Sequence, residues 1–159
     1  MRLTAFTDYS LRALMYLAAE QPGRENLARI ADIAAAYGIS EAHLTKVVYL
    51  LAQGGEIETI RGRNGGLRLG RPPDQINLGQ LIRRTEPDLT LVECFDGGAC
   101  RVDTACALKH VLHEALDAFL AVLDRYTLAD LMAPRRDIAA LLGLTPGRGS
   151  ASRGLPSSA

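Results

Sequence analysis

The sequence lacks several features that would assign it to a class of protein at once. It has no tryptophan and only three cysteines. It also has no apolar run near the roughly 18 residues that a membrane span needs. Its first residues include Asp8 and several polar groups where a signal peptide would need a continuous apolar stretch. Because 18 basic residues balance 18 acidic ones, net charge neither predicts nor excludes a nucleic-acid partner. We therefore expect a cytoplasmic protein without a membrane segment.

Familiar catalytic motifs are also missing. The sequence contains no H-E-x-x-H metal motif, no G-x-S-x-G nucleophile motif and neither of the two common glycine-rich nucleotide motifs. We expect no enzyme, and a metal-cluster enzyme or electron carrier is kept as the alternative from another class. With 159 residues, of which 48% are hydrophobic, the chain can form one ordinary domain or two small units that share a core.

A helical pattern is present over the first third of the chain. Apolar residues recur at helical spacing over Thr7–Glu20, Asn26–Tyr37 and Glu41–Gln53. Ser40 is the predicted N-cap of the third helix, and Gly54 follows its end. The short connection between the second and third helices is typical of a helix-turn-helix, which we place at about residues 28–51.

The period changes after the third helix. Polar and apolar residues alternate over Glu56–Ile60 and again over Leu67–Leu69, with an Asn-Gly turn between them, which predicts a β-hairpin. Three helices followed by a hairpin form a winged helix-turn-helix, with the wing at about residues 56–70. We therefore predict a mainly α fold with a small β-hairpin wing, in which residues 1–72 are the DNA-binding unit.

The second half carries fewer regular signals. We predict a short helix over Leu78–Arg84, an irregular loop over Thr90–Thr104, and a helix of about 25 residues that starts after Thr104 and ends at Ala133. That long helix has two apolar stripes, so one can pack on its own chain and the other on a second copy. Residues 73–133 then hold the dimerisation helix, with a single broad face in a monomer as the alternative, and residues 134–159 a short helix and a disordered tail.

Candidate DNA contacts lie on the third helix and the wing. The wing has four arginines and no acid between residues 61 and 71, which gives a basic strip in a neutral protein. A glycine turn there lets the backbone approach a phosphate or the minor groove. A merely solvated face is the alternative for each helix residue. The predicted DNA-binding residues are Glu41, Ala42, His43, Thr45, Lys46, Tyr49, Arg61, Arg63 and Asn64.

The three cysteines predict a metal site. Cys94, Cys100 and Cys106 are separated by five residues each, all within a segment of thirteen. This spacing differs from the paired knuckles of zinc sites and favours an iron–sulfur cluster, with zinc and simple packing cysteines as alternatives. Three thiolates leave one position of a four-ligand site open. Candidates for it are Asp8, His110, His113 and nearby acids.

Four segments together resemble one known family. The opening MRLTAFTDYSLRALMYLA, the wing segment RGRNGGLRLG, the cysteine pattern and the later LDRYTLADLM resemble the NsrR family of nitric-oxide-sensitive repressors, over residues 1 to about 133. NsrR belongs to a winged-helix group of dimeric iron–sulfur regulators that also includes IscR and RirA. The resemblance implies a homodimer bound to double-stranded DNA at promoter half-sites of nitrosative-stress genes. It also implies an iron–sulfur cluster, of the 4Fe-4S type in first place and 2Fe-2S in second.

The same resemblance makes Asp8 the leading fourth ligand. The IscR pattern lacks an aspartate there and has a histidine three residues after its last cysteine, where this chain has Lys109, with His110 one place later. A carboxylate ligand is displaced more readily than a thiolate, so nitric oxide could reach one iron and end repression. Since the first helix belongs to the DNA-binding half, Asp8 could reach a cluster only if the loop packs against that half. An iron- or cluster-status-sensing regulator is the alternative.

Overall fold

The computed structural model describes residues 2–19, 27–97, 100–102 and 105–144, and all statements below concern these residues. Within them, two short 3-10 turns lie at Pro73–Gln75 and Glu93–Asp96. Among the described residues, no helix is both long enough and apolar enough to cross a bilayer. The helices and strands are α1 Ala5–Ala19, α2 Ile30–Tyr37, α3 Glu41–Gln53, β1 Ile57–Ile60, β2 Gly66–Leu69, α4 Leu78–Thr85, α5 Ala107–Leu123, α6 Leu128–Leu131 and α7 Arg135–Leu141.

Helix α3 follows the prediction at both ends. It begins after Ser40, whose carbonyl oxygen accepts hydrogen bonds from the backbone N–H groups of His43 and Leu44, and it ends before Gly54. Its inward stripe is buried as predicted and packs on α1. The buried residues of this stripe are Leu44, Val47, Val48 and Leu51.

Helix α2 is shorter than predicted. It begins at Ile30, and Asn26, where the prediction placed its start, lies outside the described residues. Ala28 is in an extended segment that exchanges two backbone hydrogen bonds with Leu67 of β2, at 3.2 and 2.7 Å. A residue whose N–H and C=O bind a strand cannot also serve a helix, which is why the prediction was wrong here.

The wing is a two-stranded antiparallel hairpin, which confirms the prediction. Its register pairs Ile57 with Leu69, Glu58 with Arg68, Thr59 with Leu67 and Ile60 with Gly66. Ile57 and Leu67 face the core, while the turn between the strands is exposed. The hairpin therefore packs against the helices through its apolar face, and its tip is exposed to solvent.

The predicted 25-residue helix is two helices. Helix α5 ends at Leu123, and α6 starts only at Leu128, after a turn. In that turn the Tyr126 carbonyl accepts from the Leu78 N–H at 3.0 Å, and the Leu128 N–H donates to Ile76 at 2.9 Å. Because these backbone groups bind the segment before α4, they cannot continue a helix. Thr127 starts the next one, with the Asp130 carboxylate accepting from its N–H at 2.7 Å.

The remaining predictions for the second half of the chain can be compared with the structure only in part. Helix α4 was predicted one residue short, and α7 fits the predicted short helix after residue 134. Thr104 and the tail after residue 144 lie outside the described residues. The residue that precedes α5 at its N-terminus is Cys106, which was expected in the first turn of the helix.

Candidate functional site

The outward face of α3 carries the predicted base-contacting side chains. All six of them, from Glu41 to Tyr49, are exposed, and Tyr49 is 67% exposed. The Thr45 hydroxyl donates to the Glu41 carbonyl at 2.8 Å. Its hydrogen is thus used inside the helix, so its oxygen is left as an acceptor. An exposed, mostly polar helix face beside a wing has the shape that a DNA major groove accepts.

Helix α1 contacts both helices of the helix-turn-helix near this face. The rings of Tyr9 on α1 and His43 on α3 lie 6.2 Å apart, and the Arg12 guanidinium lies 5.6 Å from the Tyr37 ring centre. Burial raises the pKa of Tyr37, and the nearby Arg12 charge partly offsets this. The turn of α1 that carries Asp8 therefore lies beside the candidate DNA-reading face.

Asp8 is half-exposed and already has a partner. Both of its carboxylate oxygens accept from the Arg12 Nε, at 3.0 and 2.9 Å, one turn along the same helix. Exposed ion pairs at this spacing stabilise a helix by only about 0.3–0.5 kcal/mol. Asp8 can therefore leave Arg12 for another cation at small cost.

The basic strip of the wing divides into two kinds of arginine. Arg68 pairs across the strands with Glu58 at 2.7 Å, and Arg71 turns back to Glu56 and the end of α3. The charge of the predicted basic strip is therefore partly balanced, because Arg68 and Arg71 pair with acids that precede the strip. Arg61 and Arg63 are exposed at the tip, as is Asn64, and they are the wing cations best placed to meet a phosphate.

The three cysteines lie on the cysteine segment, residues 86–106 between α4 and α5, whose described residues are mainly irregular. Cys94 lies in the 3-10 turn and is half-buried, Cys100 is exposed, and Cys106 is half-buried at the N-terminus of α5. All three are free thiols, and thiolates drawn from one irregular segment are the ligands that iron–sulfur clusters use. The donor chemistry fits a cluster. Among the described residues, however, no three potential ligands converge, so a bound cluster would require this segment to close up or a second copy to contribute.

The two candidate histidines differ in their surroundings. His110 is exposed on α5. The ring of His113 stacks on Phe95, with ring centres 3.7 Å apart, and its Nδ1 lies 3.0 Å from the Lys109 carbonyl. His113 thus helps to hold the turn that carries Cys94 against α5, and this role accounts for it without a metal.

The segment also begins at a residue that holds α1. The Glu86 carboxylate accepts from the Thr4 N–H at 2.8 Å, and the Thr7 and Thr85 hydroxyls are buried and hydrogen-bonded at 2.9 Å. Sequence reasoning missed all four residues. Thr4 is an ordinary N-cap signal, but Glu86 is 82 positions away, so no local pattern could have joined the two. The start of α1 and the start of the cysteine segment therefore form one unit.

The far end of α5 is tied to α4 instead. Arg83 and Asp124 form two parallel hydrogen bonds at 2.5 and 2.8 Å, and Asn77 donates to the Asp124 carbonyl at 2.7 Å. This hydrogen-bonded pairing raises the pKa of Arg83 and lowers that of Asp124. Helix α5 is thus fixed at its C-terminus, while its N-terminal half, next to Cys106, has no buried side chain among the described residues.

The family of the chain follows from its match to a known pattern. The Rrf2 profile, described as an iron-dependent transcriptional regulator, matches residues 3–134. The chain belongs to the Rrf2 family. It is accordingly a transcriptional regulator with a winged-helix DNA-binding fold, in agreement with the exposed face of α3 and the wing.

Individual Rrf2 relatives support a narrower placement. The chain is 56% identical to the HTH-type transcriptional regulator NsrR of Bacillus subtilis. The match extends over 144 residues and covers 89% of this chain and 97% of the relative. The NsrR of Geobacillus kaustophilus is 52% identical over the same length, with the same coverage.

Solved Rrf2 structures share the fold. CymR, the global cysteine regulator of B. subtilis, superimposes with a TM-score of 0.69 at 30% identity and covers 84% of this chain and 98% of its own. IscR of T. potens gives a TM-score of 0.67 at 26% identity, with coverage of 87% and 90%.

Proposed function

We propose that this chain is a cytoplasmic, homodimeric transcriptional repressor that responds to nitric oxide and controls nitrosative-stress genes. Cys94, Cys100 and Cys106 hold an iron–sulfur cluster, of the 4Fe-4S type in preference to 2Fe-2S, and Asp8 is its fourth ligand. The observation that carries the proposal is a set of three free thiols on one segment, in a chain 56% identical to a protein named NsrR.

The DNA-reading surface consists of the outward face of α3 and the wing tip. Lys46, Arg61 and Arg63 supply the cations for phosphates, and the remaining residues of the face meet the base edges. Because a dimer presents two such surfaces, it recognises two half-sites about one DNA turn apart. All of these residues are exposed, so DNA can reach them without unfolding any part of the chain.

The signal-receiving residues are connected to this surface within the chain. When bound, the cluster supplies iron at which nitric oxide reacts. Asp8 exchanges its ion pair with Arg12 for the metal, and Arg12 lies against Tyr37 at the end of α2. Glu86 joins the start of the cysteine segment to Thr4. A change in the cysteine segment therefore reaches α1, and α1 contacts the helix-turn-helix through Tyr9 and His43.

The first test is the metal content of protein purified without oxygen. Equal iron and acid-labile sulfide, four or two per chain, would support the cluster and give its type. Zinc without sulfide would make the segment a structural zinc site and refute the nitric-oxide mechanism.

The Asp8→Ala variant tests the fourth ligand, with Arg12→Ala as its matched control. Both remove the Asp8–Arg12 ion pair, but only the first removes a carboxylate. We expect Asp8→Ala to shift the visible spectrum and to lose iron to a chelator at least about tenfold faster, because even residues that only support ligands change metal affinity by that much. Arg12→Ala should retain the wild-type spectrum. Identical spectra and loss rates for all three proteins would remove Asp8 from the ligand set.

Iron supply is the second candidate signal, because the family description is an iron-dependent regulator. It predicts that DNA binding follows cluster occupancy when iron is withdrawn, with little further response to nitric oxide. Titrating a bound promoter duplex with nitric oxide, and separately with an iron chelator, distinguishes the two signals. Release at stoichiometric nitric oxide supports the proposal, and release only by the chelator supports iron sensing.

A further inference from the structure

Glu56 is a buried acid at the junction between the DNA-reading helix and the wing. It lies three residues after α3 ends and one before β1 begins, and it is 6% exposed. Its N–H donates to the Leu51 carbonyl at 3.0 Å, while its own carbonyl accepts from the Gly70 N–H at 2.8 Å. The backbone of Glu56 thus touches the last turn of α3 and the residue that follows β2.

Two arginines from different parts of the chain meet its carboxylate. Arg84 of α4 donates to one oxygen at 2.5 Å, and Arg71, just beyond β2, lies 3.6 Å from the other. Arg71 also donates to the carbonyls of Gly54 and Gly55 at the C-terminus of α3. A cation there is favoured by the helix dipole. We call these three side chains, Glu56, Arg71 and Arg84, the Glu56 cluster.

Gly54 provides the room for this cluster. Its φ of −79° is one that any residue adopts, so its backbone conformation does not require glycine. A Cβ at this position, however, would run into the Glu56 carboxylate and the Arg84 guanidinium. The cluster therefore lies directly on the end of α3, where a side chain would displace it.

The wing needs such an anchor. It has only two strands of four residues each, and an isolated two-stranded hairpin is marginally stable. Its apolar side is held by Ile57 and Leu67, but its base is held to both α3 and α4 by the Glu56 cluster. By contrast, Glu58 and Arg68 form an exposed ion pair with each other within the wing itself. Among the described contacts, this pair does not join the wing to a helix.

We infer that Glu56 is a positioning residue for DNA binding: it sets the wing tip, with Arg61 and Arg63, at the angle to α3 at which both reach the same duplex. The inference rests on the DNA-binding part of the proposed function and not on its cluster or signal. Glu56 itself is buried and does not touch DNA.

A double-mutant cycle between Glu56 and the wing tip tests this inference. The probe is a duplex that the wild-type protein selects from a random-sequence library, and binding is measured over a range of salt concentrations. In the wild-type background, Arg61→Ala with Arg63→Ala should lower the slope of log affinity against log salt by about 1.8 per protomer and weaken binding roughly tenfold. Glu56→Gln alone should cause a similar loss, because the tip then no longer meets the phosphates.

The combined variant gives the decisive result. Residues that do not touch normally act independently, so two unrelated effects would add. If Glu56 acts through the wing, the tip substitutions should cost less than about twofold in the Glu56→Gln background. A full roughly tenfold cost there would overturn the inference. The inference would also fail if the tip substitutions cost equally little in the background of the control Glu58→Gln, which breaks an ion pair inside the wing.

Arg84 supplies an independent route to the same conclusion if Glu56→Gln does not fold. In an Arg84→Met background, the tip substitutions should again cost less than about twofold in affinity. In an Arg84→Lys background, which keeps a cation for Glu56, they should cost most of the full amount. Equal behaviour of the two Arg84 variants would overturn the inference. If the wild-type protein selects no duplex, the DNA-binding part of the proposed function fails, a result distinct from a failure of the cycle.

Discussion

Helices α3 and α5 show how differently two helices of one chain can be stabilised. Four of the 13 residues of α3 are buried, whereas one of the 17 residues of α5 is. Helix α5 is also rich in apolar residues, but several of them are exposed: Leu108, Val111 and Val122 are 62%, 59% and 44% exposed. Helix α3 is thus packed within its own chain, while α5 presents apolar surface that the described residues do not cover.

The difference suggests a division of roles. A packed helix keeps its outward face in one place, which suits the recognition of DNA. A large exposed apolar surface is typical of a protein–protein interface. Since the N-terminal half of α5 adjoins Cys106, an interface there would also lie beside the proposed ligands.

The largest expected effect is on the packed side of the comparison. Leu44 has no exposed surface, so Leu44→Ala removes buried apolar atoms and leaves a cavity. We expect the free energy of unfolding to fall by about 2–5 kcal/mol, as measured by urea denaturation. Leu141→Ala, at a leucine that is 87% exposed, is the control and should stay within about 0.5 kcal/mol of the wild type. A similar loss in both variants would show that the buried stripe of α3 stabilises the fold no more than an exposed leucine does.

The next effect concerns assembly rather than folding. Leu108→Asp with Val111→Asp places two charges on the exposed surface of α5, and we expect a mass close to one chain in analytical ultracentrifugation, against two chains for the wild type. The helical far-ultraviolet circular dichroism of the protein should be largely retained. Leu141→Asp puts a charge on exposed apolar surface elsewhere and should leave the mass unchanged. A dimer that survives the double substitution would place the interface outside the N-terminal half of α5.

The smallest effect concerns the attachment of α5 to α4. The hydrogen bond from Arg83 lowers the pKa of Asp124, so the ionised carboxylate stabilises the fold at neutral pH. That stabilisation should be lost as the pH falls through the lowered pKa, where the carboxyl becomes protonated. Asp124→Asn should therefore lower the urea midpoint slightly at pH 7, and its curve should meet the wild-type curve at low pH. Parallel curves over the whole range would show that this ion pair does not contribute.

Local signals predicted the DNA-binding half well. Ser40 and Gly54 gave both ends of α3, and the change to period two with an Asn-Gly turn gave the hairpin. The two larger errors in helix length, at α2 and at α5, came from long-range backbone pairing. Ala28 binds Leu67 and shortens α2, and Tyr126 binds Leu78 and ends α5. The Thr127 to Asp130 spacing was a visible sign of a new helix, but the apolar stripe running through it suggested continuation.

The candidate site was predictable as a set of residues but not as an arrangement. The thiols, the outward face of α3 and the tip arginines could be chosen from spacing and residue type. The pairing of Arg71 with Glu56 could not be predicted, because Glu56 precedes the basic strip and no local pattern joins the two. The hairpin register, read from its turn, would have opposed Glu58 to Arg68, whereas nothing local connects Arg84 with Glu56. The pairing of Thr4 with Glu86 is equally remote.

That last pairing has a practical consequence for handling the protein. Since the N–H of Thr4 binds the residue at which the cysteine segment begins, any affinity tag fused ahead of Arg2 emerges beside that segment. A polyhistidine tag there would add a run of imidazoles that compete with the three free thiols for the same metal. Preparations meant for metal analysis are better tagged at the other terminus, or cleaved before iron is counted.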